Sequence, residues 1–407
     1  MTKNESTLQQ IFREIAAPGV IALRTLGRAV GIPASTLANM IRTLVRRGLV
    51  VLSEDRKKVG VNPRYGYVVG IDLGASHLHF ALADFRGEIL KDSTIKIRPE
   101  DGPKKMIGQI KEGIGALAAA PLSAGGRDSN TKAAGHPRGS VGPALRLGRL
   151  RAISIGVPSA VDTVQGVVGW ANNLPGWTNV HLGRELERAF RVPIFLENDA
   201  NMAAIGEHWR GVAKGVRNFV FVALGTGIGS GILIDGKIYA GRTGWAGELF
   251  RMNVEWQRWD EEFPDTGYFE SYVAGLGIAA EGRKALGAPP PGDAGLREER
   301  DAFFVFQAHR EGNPKATEVL ERIFTILGVG MANVVAVLEP DLIVFGGGIA
   351  KGAPDLMLSI VEKVVRRIQK DITPPFVLSS LGDKAQTYGA IRSALDVAQD
   401  ACASRLR

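Results

Sequence analysis

The sequence predicts an α/β protein in which a winged helix-turn-helix precedes two α/β lobes around a cleft. Three observations predict it. The chain opens with helical patterns, a Gly-Ile-Pro turn, a helix with a polar and basic face, and then a short apolar hairpin. Two apolar strands, over 67–72 and 219–224, each run into a glycine-bearing turn and a further strand. Beyond residue 67, strands and helices succeed one another in the order that layered α/β lobes require. The expected domains are 1–66 for the winged helix-turn-helix, 67–200 for an N-terminal lobe with an insertion at about 120–150, and 201–407 for a C-terminal lobe.

A chain of 407 residues has room for two or three domains, and 45% hydrophobic with 23% charged residues suits a globular protein with a sizeable core. No uninterrupted apolar run in the sequence approaches the ~18–20 residues of a membrane span. The opening Met-Thr-Lys-Asn-Glu-Ser has no signal-peptide pattern, and the single Cys402 forms neither an internal disulfide nor a thiolate cluster. The expectation is a cytoplasmic protein. The net charge of +8 is uneven: residues 1–66 carry +7 and 120–151 carry +5, leaving the rest at −4. A basic N-terminal module on a mildly acidic body points to nucleic acid; a solvated basic face is the other reading.

Within that module, Leu8, Ile11, Phe12 and Ile15 give residues 6–17 an apolar face, and Pro18-Gly19 ends the helix. A second helix over 23–30 reaches the turn Gly31-Ile32-Pro33. A third begins at Ala34 and runs to Arg47, before Gly48. Its Leu37, Ile41 and Leu44 form a buried stripe, leaving Ser35, Thr36, Asn39, Arg42 and Arg46 outward. Small polar side chains suit base edges. Arg42, Arg46, Arg47 and the wing's Arg56, Lys57 and Lys58 suit phosphates. A three-helix interaction module without DNA is the alternative. Pro33 stands where a Ser or Thr cap is usual and fits a first helical position. Residues 61–65 read as a linker.

The body follows. Strand 67–72 enters Asp72-Leu73-Gly74-Ala75-Ser76, and strand 78–84 leads to a turn at Arg86-Gly87-Glu88. Backbone N–H groups of such a turn can face an anion, although Asp and Gly also suit ordinary turns. A helix over 105–119 precedes the Gly-, Ser-, Pro- and Arg-rich insertion, and strand 151–157 resumes the pattern. The loop from Trp170 through Asn172 and Asn173 to Trp177 either lines a sugar or packs its tryptophans. Strand 192–196 precedes Glu197-Asn198-Asp199-Ala200-Asn201 and a helix through 202–209. A carboxylate flanked by amides grips a polyhydroxylated ligand, and a desolvated Asp199 can take a proton from a sugar hydroxyl. A helix cap is the alternative. Strand 219–224 enters Gly225-Thr226-Gly227-Ile228-Gly229-Ser230-Gly231, which lacks the lysine and following helix of a P-loop, and strand 232–235 leaves it. A helix over 315–338 and a buried strand ending in Gly346-Gly347-Gly348 close the pattern.

In this order and spacing, residues about 67–397 resemble the ROK proteins (repressors, uncharacterised frames and sugar kinases), and 1–66 resembles the winged helix of the regulator subgroup. The resemblance implies a two-lobed, actin-like and hexokinase-like fold. It implies nucleotide contacts at Asp72, Gly74, Ser76, Gly225, Thr226, Gly227, Gly346 and Gly347. It implies sugar contacts at Asn198, Asp199, Glu248 and Glu270, with Asp199 the catalytic base in the kinases. Arg251 stands where the family's sugar- and zinc-binding histidine is usual, and joins the sugar set. Glu261, Phe263 and Tyr268 replace the zinc cysteines, so no structural zinc and no metal is expected. Packing of Trp256, Trp259, Phe263 and Tyr268 is expected to hold that loop. Ala75 adds a methyl group where backbone approaches phosphate in the kinases.

The resulting expectation is a sugar-responsive transcription regulator, a repressor of carbohydrate genes. It would bind operator DNA and a monosaccharide or derivative as a homodimer or homotetramer, with no membrane partner. The rival is an ATP-dependent hexose or amino-sugar kinase that uses Mg-ATP and Asp199. A third reading is a regulator that has lost sugar binding.

Overall fold

The structure is a computed structural model and describes residues 3–74, 76–119, 147–170, 174–263, 267–287 and 297–406. Ala75, Asn172, Asn173 and nearly all of the 120–150 insertion lie outside the described residues. The chain divides into two compact units, Met1–Glu197 with Ala390–Arg407, and Asn198–Gly389.

The first unit opens with a winged helix-turn-helix. Helix α1 (Lys3–Ala16) starts earlier than residue 6 and is followed by β1 (Val20–Ala22), a strand that the sequence pattern did not disclose. Helices α2 (Leu23–Val30) and α3 (Ala34–Arg46) are joined through Gly31, whose φ of 67° closes α2 in the left-handed region. Pro33 is the residue before α3 (φ −58°, ψ 145°), not its first helical residue. Strands β2 (Val50–Leu52) and β3 (Lys58–Val61) form the wing, and β1 adds to it in the order β1-β3-β2. Ile11, Phe12, Ile15, Leu26, Leu37, Ile41 and Leu44 are buried, as the helical spacing requires. The stretch read as a linker is tied down: Asn62 Nδ2 donates to Gly48 O at 2.7 Å, and Arg86 Nε donates to Val61 O at 2.7 Å.

The rest of this unit is a sheet of β4 (Tyr67–Leu73), β5 (His77–Asp84), β6 (Ile89–Lys96), β7 (Leu150–Val157) and, beyond a small three-stranded sheet of β8 (Val161–Asp162), β9 (Val167–Trp170) and β10 (Thr178–Val180), β11 (Ile194–Asn198). Helices α4 (Gly102–Ala119) and α5 (Leu182–Phe190) complete it. The sheet order is β11-β7-β4-β5-β6, with β4 parallel to β7 and antiparallel to β5. Trp177 is buried in this core, so packing accounts for it.

The second unit holds α6 (Asp199–Arg210), β12 (Phe219–Leu224), β13 (Ile228–Ile234), β14 (Lys237–Ile238), α7 (Glu270–Val273), α8 (Gly275–Leu286), α9 (Arg297–Arg310), α10 (Pro314–Leu338), β15 (Leu342–Gly346), α11 (Gly348–Gly352), α12 (Pro354–Gln369) and β16 (Phe376–Leu378). The closing helix α13 (Ala385–Ser404) begins here. Its sheet order, β14-β13-β12-β15-β16, repeats the first unit's pattern: a three-strand meander, then a crossover back to a strand parallel to the first. Alternate residues of β12 serve opposite faces. Val220, Val222 and Leu224 enter the core under α10 and α12, while Phe219 and Phe221 enter the core under α6. By length and composition α10 is apolar enough to cross a membrane, and 61% of that window is buried.

Strand β13 starts inside the run read as a glycine-rich turn, so only Gly225–Gly227 turn. Gly229 and Gly231 are strand residues beneath α6: a Cβ on Gly231 would lie 2.7 Å from Ala204 Cβ and 2.8 Å from Ala200 O. Helix α6 also meets the start of α13 through glycine, since a Cβ on Gly389 would come within 1.8 Å of Met202 O. Gly389→Ala is therefore expected to destabilise the protein by about 1–3 kcal/mol, the usual cost of forced overpacking. Gly108→Ala in α4, where a Cβ meets nothing within 4 Å, is expected to stabilise by about 0.5–1 kcal/mol. Thermal unfolding midpoints of the two variants check both signs.

Candidate functional site

The Glu197-Asn198-Asp199 stretch lies where β11 gives way to α6. Asn198 is the N-cap of α6, its Oδ1 accepting from Ala200 N at 2.9 Å and Asn201 N at 3.2 Å. Asp199 occupies the first turn, where the helix dipole favours a carboxylate, and its Oδ1 also accepts from Ala200 N, at 2.8 Å. The cap geometry is present, and both side chains remain half-buried.

Two loops bring Glu248 and Glu270 into electrostatic range of each other. The Ser230 hydroxyl donates to Gly247 O at 2.6 Å, and Phe269 N donates to Phe250 O at 3.0 Å, tying both loops beside β13. Burial pushes the Glu248 carboxyl above the ordinary value of 4.5; Arg251 opposes that shift and Glu270 adds to it. Burial raises Glu270 too, against the stabilising N–H of Ile228, which donates to Glu270 Oε2 at 2.9 Å. Arg251 is exposed and lies over the rings of Trp245 at 5.0 Å and Phe250 at 5.1 Å.

The expected aromatic clamp forms only in part. Phe263 and Tyr268 are in ring contact at 4.3 Å, with Arg258 over Phe263 at 5.2 Å. Trp256 and Trp259 are 77% and 75% exposed, three residues apart on a 3₁₀ turn that presents both outward. Arg258 pairs with Glu261 instead, and its bonds to Glu261 and Tyr272 fasten the loop.

Three glycine turns stand where the family resemblance implies phosphate contacts. Gly225-Thr226-Gly227 follows β12, with Gly225 N bonded to Gly227 O at 2.9 Å and Gly275 N to Gly225 O at 3.0 Å. Gly346 ends β15, parallel to β12, so Gly346-Gly347 emerges at the same end of that sheet; Gly347 has φ 91° and lies against Leu224 O. In the first unit, Asp72 is buried near the end of β4, and Ser76 is exposed immediately before β5. Here sequence reasoning missed His77. Its Nε2 lies 3.5 Å from Asp72 Oδ2, and this hydrogen bond raises the imidazole above its ordinary 6.5. A titratable ring one residue past the turn was the available signal.

On the winged helix, Ser35, Asn39, Arg42 and Arg46 are exposed along α3 and Thr36 is half-buried. Arg42 bonds to Asn39 one turn away. Arg56, Lys57 and Lys58 are exposed at the wing tip, which is set by Asp55: it accepts from Ser53 Oγ at 2.6 Å and from Lys57 N at 3.0 Å. These two bonds hold the Asp55 carboxyl below its ordinary value.

The raised carboxyls carry a signed consequence. A carboxyl raised by folding contributes stability that is fully present below the unfolded value and lost as pH climbs through the folded value. Glu248→Gln keeps the shape without the charge. It is expected to raise the thermal midpoint relative to wild type at about pH 7.5 and to leave it unchanged at about pH 4. Superimposable pH profiles would refute the burial account.

Comparison with known proteins follows the same lines. The chain is 25% identical to the xylose repressor of Caldicellulosiruptor bescii, over 95% of this chain and 96% of that protein. It is 29% identical to the glucokinase of Thermotoga maritima over 79% of this chain and 95% of the enzyme. The crystal structure of a ROK family transcriptional regulator, a homologue of the E. coli MLC protein, superposes with a TM-score of 0.76 at 22% identity, covering 98% of both chains. That likeness shows the fold, the actin-like and hexokinase-like α/β architecture behind a winged helix. The ROK family model matches residues 143–397, well over half of the sequence, and the chain belongs to the ROK family.

Proposed function

We propose that this protein is a sugar-responsive transcriptional repressor that binds operator DNA through its winged helix. The carrying observation is the intact N-terminal module: α3 exposes a polar and basic face beside a wing tip of three consecutive cations. Kinases of the family have no use for such a surface, and the xylose repressors of Caldicellulosiruptor bescii and Bacillus subtilis match along 95% of the chain. A monosaccharide or derivative serves as effector, contacted by Asn198, Asp199, Glu248, Arg251 and Glu270. Carboxylates and amides of that kind accept and donate to vicinal hydroxyls, while Trp245 supplies an aromatic face beside Arg251. A homodimer or homotetramer presents two recognition helices to two half-sites. Differential binding of the sugar to two conformations then shifts DNA affinity.

Two experiments test this reading. Duplexes selected by the wild-type protein from a random pool provide the probe. The double substitution Arg56→Ala/Lys57→Ala is expected to weaken binding to every selected duplex and to reduce the salt slope by about 2, one for each phosphate that is no longer neutralised. With a panel of pentoses, hexoses and amino sugars, one sugar is expected to release wild-type protein from DNA. Asp199→Ala is expected to bind the same DNA with unchanged affinity and to ignore that sugar. A full sugar response in Asp199→Ala would overturn the effector assignment.

The glucokinase relatives favour a second reading, phosphoryl transfer to a hexose with Asp199 as base. Release of ADP that requires one particular sugar, and that Asp199→Ala abolishes, would establish it.

A further inference from the structure

We infer that His77 is the chain's own occupant of the phosphate turn in the first unit, and that it excludes nucleotide there. A glycine in such a turn leaves room for an anion because no side chain projects from it. At Gly74 that room is filled. A Cβ built on Gly74 would lie 2.4 Å from Cε1, 2.7 Å from Nδ1 and 3.0 Å from Nε2 of His77, so the imidazole lies against the glycine. The turn's acidic group is engaged as well. Asp72, 6% exposed, faces His77 Nε2 at 3.5 Å, and a carboxylate that accepts from the chain's own ring is not presented to a metal-bound phosphate. Finally, Gly74 N donates to His77 O at 2.9 Å, which closes the hairpin and fixes the backbone that carries the ring.

Family resemblance implies Mg-ATP at this turn, and the residues present do not fit it. The ring and a phosphate compete for one volume, and the ring is held covalently, so it is present at a local concentration that free nucleotide does not match. Sugar recognition is separate: Asn198, Asp199, Glu248, Arg251 and Glu270 all belong to the second unit. The inference therefore stands or falls independently of the effector reading.

The experiment is Mg-ADP binding to the full chain, followed by calorimetry and by thermal shift, in wild type, His77→Ser and His77→Phe. Serine removes both the ring and the bond to Asp72; phenylalanine keeps the bulk over Gly74 and loses only the bond. A cooperative thermal unfolding transition confirms that each variant is folded. His77→Ser is expected to bind Mg-ADP at least about tenfold more tightly than wild type, with a matching rise in its unfolding midpoint, and His77→Phe to show no gain. Should serine misfold, His77→Asn takes its place, being smaller than the ring and compatible with Asp72. Wild type binding Mg-ADP as tightly as the ring-free variant would overturn the inference. So would a folded, ring-free variant that gains nothing, because another feature would then be excluding the nucleotide.

Discussion

The central strands of the two five-stranded sheets, β4 and β12, are buried on both faces, and that constraint decides where chemistry can appear. A strand buried on both sides tolerates little polarity along its length, because an unpartnered polar group in the core costs several kcal/mol. Polar residues therefore collect where strands stop. Asp72 lies near the end of β4, Asn198 ends β11, Gly225–Gly227 follow β12 and Gly346 ends β15. The matching strand orders of the two sheets place the ends of β4 and β12, where Asp72 and Gly225–Gly227 stand, in corresponding topological positions. Ligand sites of open α/β sheets lie at such carboxyl ends for this reason.

The same packing shows why some polar groups serve the scaffold alone. Glu207 is fully buried on α6, yet it accepts from Val212 N, Ser379 Oγ and Leu381 N at 2.8, 2.5 and 3.0 Å. One carboxylate thereby fixes the C-terminal end of α6 to the turn after β16. Removing it would strand several buried donors at about 1–3 kcal/mol each. Its burial comes with a full set of donors, whereas burial of Glu248 and Glu270 comes with raised proton affinity, the signature of incompletely compensated charge.

Much of the fold was legible because period and punctuation agree. Leu37, Ile41 and Leu44 at helical spacing, with Gly31 and Gly48 at the ends, fixed α3 to within one residue. Continuous apolar runs gave β4, β12 and β15. Three-residue β1 is too short to express a period, and its pairing with β3 is a tertiary event. Glycine was the ambiguous letter. Gly225 and Gly227 shape a turn, while Gly231 is glycine because α6 passes too close for any side chain. Both look alike in sequence, since turn conformation and close approach demand the same residue. Aromatic residues misled for a related reason. Trp256 and Trp259 read as loop packing, but a turn with three residues per repeat places both on one face, and that face is outward. Of the candidate site, residue identity was legible and side-chain engagement was not. The Asn198 cap was open as an alternative, an Asx residue ahead of a helical pattern, whereas the His77 ring on Gly74 has no signature beyond the residue itself.

Separating recognition from transfer is what a regulator built on a kinase scaffold requires. Phosphorylating the effector would change the molecule being sensed and make occupancy depend on nucleotide supply. Sensing needs only that the sugar bind one conformation better than another, by the amount the population is to shift. Moving an equilibrium from 1:99 to 99:1 takes about 5.5 kcal/mol of differential binding, within reach of a few hydrogen bonds made in one state alone. Phosphoryl transfer asks for more, since attacking and leaving oxygens must be aligned and charge neutralised on the transferred group. On the inferred exclusion of nucleotide at Gly74, a single imidazole bonded to Asp72 would be enough to divide the two.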